Sequence, residues 1–246
     1  MLRNWEKELE GRVAFIRKTV EDAGALGIVY GNSGGKDSAL VGILCKRACE
    51  NTLGVLMPCE SARNFSIDMD DGLKVAEQFG IESVTADLSS VKAEILCALA
   101  GVQEISAEAQ VNLAPRLRMT ALYAVAQSRG CLVAGTGNRS EAYVGYFTKW
   151  GDGAHDFNPI SDLTVTEIFE FLRFLGAPGF LIEKAPSAGL YDGQTDETEM
   201  GFTYRELDRY LLCGEASPET LKKIEAMHRK SRHKREPVVS YRGTAG

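Results

Sequence analysis

Apolar residues recur along the chain in two alternating patterns, one typical of amphipathic helices and the other of buried strands. Trp5, Leu9 and Val13 follow each other at four-residue spacing, which predicts a helix over residues 3–23. A continuous apolar run occupies residues 26–30 and ends in glycine-rich sequence, which predicts a buried strand. The alternation continues, with helices predicted over 37–50, 66–80, 89–100 and 115–129 and strands over 53–58, 82–88 and 131–135.

Strands that alternate with helices are the pattern of βαβ units, so we predict an α/β fold with a parallel sheet flanked by helices. No repeat, low-complexity tract or linker interrupts the chain, which favours a single domain over residues 1–246. Its α/β core is expected over 25–160 and a mostly helical part over 161–246. In that second part, helices are predicted over 162–175, 203–213 and 217–230.

The composition argues against several classes of protein. The 246 residues carry 28 Lys plus Arg against 34 Asp plus Glu, a net charge of −6, whereas dedicated nucleic-acid binders usually show a basic excess. No apolar run approaches the ~18 residues that span a bilayer, and the charged amino-terminal segment lacks the apolar region of a signal peptide. The six cysteines form no CxxC pair and are expected to be reduced. We therefore expect a cytoplasmic protein with no nucleic-acid or membrane partner.

A glycine-rich loop, GNSGGKDS over residues 31–38, follows the first predicted strand and opens the next helix. Its three glycines let backbone N–H groups approach an anion, and the helix N-terminus adds partial positive charge, which is the chemistry of a phosphate site. It differs from a Walker A loop, because Tyr30 stands in place of the first glycine and Asp37 follows Lys36 where that motif has Ser or Thr. A second polar loop over 135–141 follows the fourth predicted strand, and parallel strands should bring both loops to one edge.

Each of these two loops contains a carboxylate. Asp37 would repel a phosphate unless a cation lay between them, and Mg²⁺ prefers carboxylate and phosphate oxygens. Glu141, in the second loop, is the candidate for a second carboxylate ligand. The alternative for Asp37, taken alone, is that it caps the helix.

The hexapeptide SGGKDS (33–38) resembles the SGGxDS loop of the N-type ATP pyrophosphatases, which split ATP between its α and β phosphates. The resemblance extends from residue 26 to residue 236 and implies an adenine nucleotide alpha hydrolase-like, Rossmann-like fold. It also implies that ATP binds in the core and that a loop and a tail of the helical part cover the substrate. Four further segments resemble ammonia-dependent NAD⁺ synthetases: NLAPRLRM (112–119), GTGNRSEAYVGYFTKWGDGAHDFNPISDL (135–163), KAPSAGLYDGQTDETEMGFTYRELD (184–208) and HKR (233–235).

In that family, ATP adenylates the nicotinate carboxylate of deamido-NAD⁺, pyrophosphate leaves, and ammonia displaces AMP to form the amide of NAD⁺. The resemblance therefore implies a carbon–nitrogen ligase with ATP as co-substrate and Mg²⁺ as cofactor. It also implies a homodimer with deamido-NAD⁺ bound across the interface. Because the synthetase segments account for nearly the whole chain, we expect no glutamine-hydrolysing domain. The expected nitrogen donor is free ammonia or ammonia passed on by another protein.

The resemblance also assigns roles to individual residues. Asp37 and Glu141 match the family's two Mg²⁺ carboxylates and are the expected catalytic residues. Deamido-NAD⁺ binding is expected at Arg116, Lys149, Asp156, His233 and Lys234. ATP binding is expected at Gly31, Asn32, Ser33, Gly34, Gly35, Lys36, Asp37, Ser38, Met57, Thr136 and Ser187.

The chain departs from the family at one position of consequence. Val165 stands where the family commonly has a lysine that contacts ATP, whereas Lys36 lies in the phosphate loop where an uncharged residue is more usual. We therefore hypothesise that Lys36 supplies the missing cation. His155 is a smaller departure, expected at the surface or behind the residues that contact the ligand.

Other charged residues have simpler interpretations. Arg116 and Arg118 lie two apart on a predicted helix and cannot share a face, so Arg118 is expected to be a surface or salt-bridge residue. The acidic group Asp196, Glu197 and Glu199 is expected in a solvated loop.

Two alternative functions stay open at this point. A tRNA-modifying ATP pyrophosphatase would share SGGxDS but would usually add a CxxC pair or a basic RNA-binding region. A nucleotide-binding homologue that has lost catalysis would account for Val165, although Asp37 and Glu141 are both retained.

Overall fold

This computed structural model of the protein describes residues 3–59, 67–183 and 196–241. Four parallel strands form one sheet in the order β3-β2-β1-β4, which confirms the predicted fold class. Because β1 lies between β2 and β4, the loops that follow β1 and β4 lie next to each other at the carboxyl edge. The strands are β1 (Gly27–Gly31), β2 (Thr52–Leu56), β3 (Glu82–Thr85) and β4 (Cys131–Ala134).

Helices cover both faces of the sheet, and the longer ones begin and end within three residues of their predicted bounds. Helices α5, α7, α9, α10 and α13 were not predicted, because four to six residues are too few to show a helical period. The helices are α1 (Trp5–Asp22), α2 (Lys36–Ala48), α3 (Met69–Phe79), α4 (Ser89–Leu99), α5 (Ala107–Val111), α6 (Leu113–Arg129), α7 (Arg139–Val144), α8 (Val165–Phe174), α9 (Gly179–Glu183), α10 (Asp196–Met200), α11 (Tyr204–Cys213), α12 (Pro218–Lys230) and α13 (Arg232–Arg235). Within the described residues, no helix has the length and apolar character needed to cross a bilayer.

The central strand β1 is buried on both faces. Its sequence is therefore a continuous apolar run instead of an alternation of apolar and polar residues. Ile28 and Tyr30 belong to the apolar cluster that contains α1 and α2, through residues such as Leu40. Val29 points to the other face and belongs to the cluster that contains Ala126 of α6. The loop after β1 is therefore anchored by core packing on both sides.

A third apolar cluster joins the carboxy-terminal helices to the sheet domain. It contains Val144 of α7, Val165 of α8, Tyr204 and Leu207 of α11, and Ile224 of α12. Since α7 follows the loop after β4, this cluster positions the second polar loop against α11.

The amino-terminal helix is tied to the chain that follows β4 by a group of charged residues. The Arg12 guanidinium donates to the Pro159 carbonyl oxygen at 2.5 Å and to Asp162 Oδ1 at 2.6 Å. Arg3 donates to Asp162 Oδ2 at 2.9 Å. Partial burial opposes ionisation of Asp162, but the hydrogen bonds and charges of Arg12 and Arg3 outweigh it and lower its pKa to about 2.

Candidate active site

The loops after β1 and β4 meet at the carboxyl edge of the sheet, as their positions in the sequence predict. Asn138 connects them, since its side-chain amide donates to Asp37 Oδ1 at 3.2 Å. The same residue caps α7, because its Oδ1 accepts from the Glu141 backbone N–H at 2.9 Å and its own N–H donates to Glu141 Oε2 at 3.2 Å. Asn138 therefore orients both carboxylates, a role that its sequence position alone does not reveal.

The loop over residues 31–38 is shaped to expose backbone N–H groups at the start of α2. Gly34 has a φ of 71°, and a Cβ there would collide with the Asp68 carbonyl oxygen, so only glycine fits. Asn32 stabilises the turn through two hydrogen bonds. Its Oδ1 accepts from the Gly34 N–H at 3.2 Å, and its side-chain amide donates to the Gly72 carbonyl oxygen at 3.1 Å. No side chain among the described residues caps α2, so its amino end has the geometry of an anion site.

Lys36 and Asp37, at the first turn of α2, form a buried ion pair. Lys36 Nζ lies 2.8 Å from Asp37 Oδ2, and its side chain is only 7% exposed. Burial opposes the charge of Lys36, but the carboxylates of Asp37 and Glu141 outweigh it and raise its pKa. The pKa of Glu141 is raised well above its usual range by burial and by the nearby charge of Asp37. The site thus concentrates two carboxylates around one fixed ammonium group.

Two residues of the helical part complete this charged group, and neither was predicted as a site residue. Tyr204 places its ring 5.6 Å from Lys36 Nζ and donates its hydroxyl hydrogen to Asp196 at 3.0 Å. Asp196 is buried, at 3% exposure, so the expectation of a solvated loop was wrong for this residue. Burial raises the pKa of Tyr204, and the carboxylates of Glu141 and Asp196 add to that effect.

Val165 lies in the same apolar cluster as Tyr204 and is buried. Tyr204 also places its ring 5.6 Å from Lys36 Nζ, so Val165 belongs to the cluster that contains the aromatic neighbour of Lys36. This proximity is the structural support for the hypothesis that one residue compensates for the other.

A cavity of about 860 Å³ opens above the two loops. Met57, at the end of β2, and Thr136, at the end of β4, both line it, as does Lys234 from the carboxy-terminal end of the chain. Ser187 lies outside the described residues. The residues expected at the site that line the cavity are Gly31, Asn32, Ser33, Gly35, Lys36, Asp37, Ser38, Met57, Thr136, Glu141 and Lys234.

The cavity also contains two residues that we had expected elsewhere. Arg118 lines it and donates through Nε to the Met57 carbonyl at 3.0 Å, so the expectation of a surface position was wrong. His155 lines it as well and packs over Gly135, where a Cβ would collide with the imidazole ring. Burial lowers the pKa of His155, which favours the neutral ring.

The cations expected at deamido-NAD⁺ lie at one end of this cavity. Arg116 is exposed and donates to the Lys149 carbonyl at 3.4 Å, and Lys149 Nζ donates to the His233 carbonyl at 2.6 Å. Lys234 donates to the carbonyls of Gly145 and Phe147, at 2.8 and 2.6 Å. We call Arg116, Lys149, His233 and Lys234 the basic rim; of the four, only Lys234 lines the cavity itself.

Asp156 lies apart from the basic rim and outside the cavity lining. Its Oδ2 accepts from the Val133 backbone N–H at 2.8 Å, and its Oδ1 accepts from the Tyr123 hydroxyl at 3.1 Å. Burial and the Asp156 charge raise the pKa of Tyr123 to about 12. In this structure Asp156 ties β4 to α6, and its substrate-binding role stays a prediction.

The donor set fits a divalent cation that is shared with phosphate. Asp37 and Glu141 present carboxylate oxygens to the cavity next to the open amino end of α2, and oxygen is the ligand that Mg²⁺ takes. Among the described residues no three acidic, histidine or cysteine side chains come together as a cage for a metal. Two carboxylates that rely on phosphate oxygens for further ligands are typical of nucleotide-bound Mg²⁺.

The comparisons with known proteins agree with this geometry. The model of the NAD synthase family matches residues 8–238. The NH₃-dependent NAD⁺ synthetase of Carboxydothermus hydrogenoformans is 46% identical over 235 residues, which cover 94% of this chain and 96% of that protein. Among solved structures, the NMN synthetase of Francisella tularensis superposes with a TM-score of 0.92 at 34% identity, covering 98% of this chain and 99% of that one.

A second solved structure gives the same result at lower identity. The NH₃-dependent NAD synthetase of Campylobacter jejuni superposes with a TM-score of 0.81 at 28% identity, covering 98% of this chain and all of that one. A family model that spans nearly the whole chain, and a relative that matches it over almost its full length, lead to one conclusion. The chain belongs to the NAD synthase family.

Proposed function

We propose that this NAD synthase joins ammonia to the nicotinate carboxylate of deamido-NAD⁺ in the cavity above β1 and β4, with cleavage of ATP to AMP and pyrophosphate. One observation carries the assignment of the site. Asp37 and Glu141 are held together by Asn138 at the open amino end of α2, inside a cavity large enough for nucleotides. The likeness to NH₃-dependent NAD⁺ synthetases supports ammonia as the nitrogen donor.

The chemistry needs positioned charges rather than a nucleophilic side chain. A carboxylate oxygen of the nicotinate attacks the α-phosphorus of ATP, a new P–O bond forms, and the bond to pyrophosphate breaks. Ammonia then attacks the carbonyl carbon of the mixed anhydride, loses a proton, and displaces AMP. Both steps build negative charge on the leaving group, so binding and charge neutralisation supply the catalysis.

The described residues support a division of roles in this reaction. The backbone N–H groups at the start of α2, over residues 36–38, bind the ATP phosphates, with the adenine near Met57 and Thr136. Asp37 and Glu141 would hold Mg²⁺, whose charge would offset the charge on the departing pyrophosphate. Lys36 keeps the two carboxylates close together before nucleotides bind. The basic rim binds the acceptor's phosphates.

We infer one functional unit over residues 1–246. The core over 25–160 supplies the nucleotide loops, and the part over 161–246 supplies Asp196, Tyr204 and Lys234, which all adjoin the same cavity. All six cysteines lie within the described residues and are free, which supports a reducing, cytoplasmic location.

A homodimer accounts for the exposed cations of the basic rim. Arg116 and His233 are exposed and do not line the cavity, so a dinucleotide that contacted them would extend beyond it. A second copy placed against this rim would enclose it. Sedimentation at micromolar concentration should therefore show a dimer, and a fully active monomer would contradict the shared site.

The reaction is tested with purified protein, ATP, Mg²⁺, deamido-NAD⁺ and ammonium. NAD⁺ and AMP should form in equal amounts, because each adenylation leads to one amidation. AMP without NAD⁺, or no turnover across a range of pH and ammonium, would overturn the proposal.

A second candidate acceptor is nicotinate mononucleotide. The likeness to the NMN synthetase of Francisella tularensis, at a TM-score of 0.92, favours testing it. The amidated carboxylate is the same in both acceptors, so the cavity chemistry does not separate them. Competition between the two acceptors in one reaction mixture measures the ratio of their kcat/KM values and decides which one the chain prefers.

A further inference from the structure

Trp150 adopts a backbone conformation that a bulky side chain rarely accepts. Among the described residues it is the one residue other than glycine with a positive φ, at 62°. Its indole is nonetheless 58% exposed, so burial of the ring does not offset the strain. Strained residues of this kind persist where the surroundings hold them, and they concentrate at ligand sites.

The turn around Trp150 is held firmly to the start of α6. The Thr148 hydroxyl donates to Asn112 Oδ1 at 2.5 Å, and the Thr148 backbone N–H donates to Asp152 Oδ1 at 2.9 Å. Gly151 packs so tightly on Pro115 that a Cβ would lie 2.9 Å from the proline ring. The position of the indole is therefore set by the fold rather than by its own packing.

The surroundings of the indole are those of a nucleotide site. Lys149 Nζ lies 5.5 Å from the centre of the Trp150 ring. Beside it opens a groove of about 350 Å³, whose lining is mostly basic and includes one acidic and three apolar residues: Lys149, Arg229, Lys230, Arg232, His233, Glu236, Pro237, Val238 and Val239. An aromatic face among cations is the arrangement that binds bases and phosphates together.

The indole lies at the mouth of the main cavity, away from the reacting groups. Thr148 and Gly151 line the cavity, whereas Trp150 itself does not. The carboxylate to be adenylated has to reach the nucleotide held by Asp37 and Glu141 inside. A ring that stacks on Trp150 is therefore the base at the other end of the acceptor.

We propose that Trp150 stacks on the adenine of deamido-NAD⁺ and so makes the chain prefer the dinucleotide to nicotinate mononucleotide. This inference rests on the proposed function, because it assumes that the nicotinate end enters the cavity. The mononucleotide has no second base and gains nothing from the indole. Trp150 is thus a specificity-determining residue that acts by binding, not by chemistry.

Fluorescence tests the contact without any turnover. The chain has two tryptophans, and Trp5 stacks on Phe171 with ring centres 5.0 Å apart, far from the described site. A Trp5→Phe variant keeps an aromatic ring there and leaves Trp150 as the one fluorophore of its type. Deamido-NAD⁺ added without ATP should quench its emission to saturation, and nicotinate mononucleotide should not. Unchanged emission while calorimetry reports dinucleotide binding would overturn the proposal, as would equal quenching by both acceptors.

Kinetics of three variants test the specificity. Trp150→Ala should raise the KM for deamido-NAD⁺ between about fivefold and about 150-fold, the range for loss of one base stack, with kcat and the ATP KM unchanged. Trp150→Phe should restore most of the affinity. Trp150→Gly removes the strain and the ring together, so it should fold as well as the parent and still lose the affinity.

Two outcomes of this series count against the proposal. An equal rise in the KM values for deamido-NAD⁺ and nicotinate mononucleotide would mean that the indole does not contact the adenine. A shift from dimer to monomer in Trp150→Ala, with an unchanged preference between acceptors, would make Trp150 an interface residue instead. If the parent protein makes no NAD⁺ at all, the proposed function fails, while the fluorescence titration still reports whether the dinucleotide contacts Trp150.

Discussion

Lys36 shows how a single residue changes the character of a phosphate loop. Its ammonium group is not directed into open space but is fixed on Asp37 at 2.8 Å, over the Tyr204 ring and near Glu141. Without it, the acidic groups of Asp37 and Glu141 would face the incoming triphosphate with no ammonium group beside them. We therefore expect Lys36 to reduce repulsion between the protein and ATP, which is the compensation for Val165 that we hypothesise.

Replacement of Lys36 by methionine keeps the length of the buried stem and removes the charge. The kcat/KM for ATP should fall between about fivefold and about 150-fold, as expected for a charged hydrogen bond of about 1–3 kcal/mol. Initial rates at varied ATP and fixed Mg²⁺ measure the change. Lys18→Met, at an exposed position of α1, is the matched control. An unchanged KM and kcat in Lys36→Met would refute the compensation.

Replacement of Asp37 by asparagine keeps the side-chain shape and removes the charge. We expect turnover to drop by at least about a hundredfold, because the charge needed to hold the cation is lost. Lys36 loses its buried ion-pair partner, so thermal unfolding should shift to lower temperature, and turnover is therefore measured well below the unfolding transition. Asp70→Asn, at an exposed position of α3 outside the cavity, serves as the control. Retained turnover in Asp37→Asn would contradict the metal role.

At the scale of elements, one buried carboxylate joins three helices. Asp208 of α11 accepts from the Ser140 hydroxyl of α7 at 2.5 Å and from the backbone N–H and hydroxyl of Thr166 in α8, both at 2.7 Å. Burial raises the pKa of Asp208 although these hydrogen bonds oppose it. Ser140 precedes Glu141, so this connection also holds the second carboxylate in place.

Removal of the Asp208 carboxylate should destabilise the protein. Asp208→Ala leaves three donors without their acceptor in a buried site, which should lower the free energy of unfolding by about 3 kcal/mol or more. Denaturant unfolding at constant slope measures the loss. Asp70→Ala, at an exposed position, should change the same quantity by less than about 0.5 kcal/mol. A loss below about 1 kcal/mol for Asp208→Ala would show that the three helices do not depend on it.

The attachment of α1 to the chain after β4 has a pH dependence. The folded-state pKa of Asp162, about 2, lies below its ordinary value of 3.8, so ionised Asp162 stabilises the fold above pH 3.8 and the contribution is lost as the pH falls towards 2. Its side chain is 53% exposed, and solvent screening reduces the contribution to about 1 kcal/mol.

Asp162→Asn should therefore destabilise the protein by about 1 kcal/mol at neutral pH and progressively less below pH 3.8. Urea unfolding over a series of pH values measures the difference. Asp22→Asn disrupts an exposed pair with Lys18 within α1 and controls for the loss of one surface charge. A difference between Asp162→Asn and the parent that stays constant down to pH 2 would exclude the linkage.

Long helices were predicted from the sequence more accurately than short ones. Helices of ten or more residues show a clear period in the sequence, and α1, α2, α6 and α12 all match their predictions. The short helix α7 has no such signal, although its capping residues Asn138 and Glu141 are visible in the sequence as a capping pair. Short elements are decided by caps and tertiary contacts, which a periodicity analysis does not detect.

At the scale of the molecule, ammonia is the proposed nitrogen donor, as in the related NH₃-dependent NAD⁺ synthetases. Release of ammonia from glutamine needs an activated nucleophile, usually a thiolate beside a base. Among the described residues that line the cavity none is a cysteine, and burial raises the pKa of the Cys45 and Cys131 thiols. If ammonia is the donor, as the likeness to those synthetases supports, glutamine should give NAD⁺ at least about a hundredfold more slowly than ammonium. Comparable rates in ammonia-free glutamine would contradict this expectation.

The sequence by itself determined the order of strands and helices, the two loops that carry the chemistry, and the pair Asp37 and Glu141. These features are local: a glycine-rich turn, a helix start and a strand end are each encoded by neighbouring residues. Motif resemblance then identified the family, which the family model confirms.

Only the tertiary structure decided which side chains enter the cavity. Arg118 and His155 line it, Asp196 and Tyr204 complete the charged group around Lys36, and Asp156 turns away from it. The positions of these side chains depend on contacts between residues far apart in the chain. They also depend on how the carboxy-terminal helices pack. The pattern of apolar and polar residues shows which face of a helix or strand is buried, but it does not show which residues that face contacts.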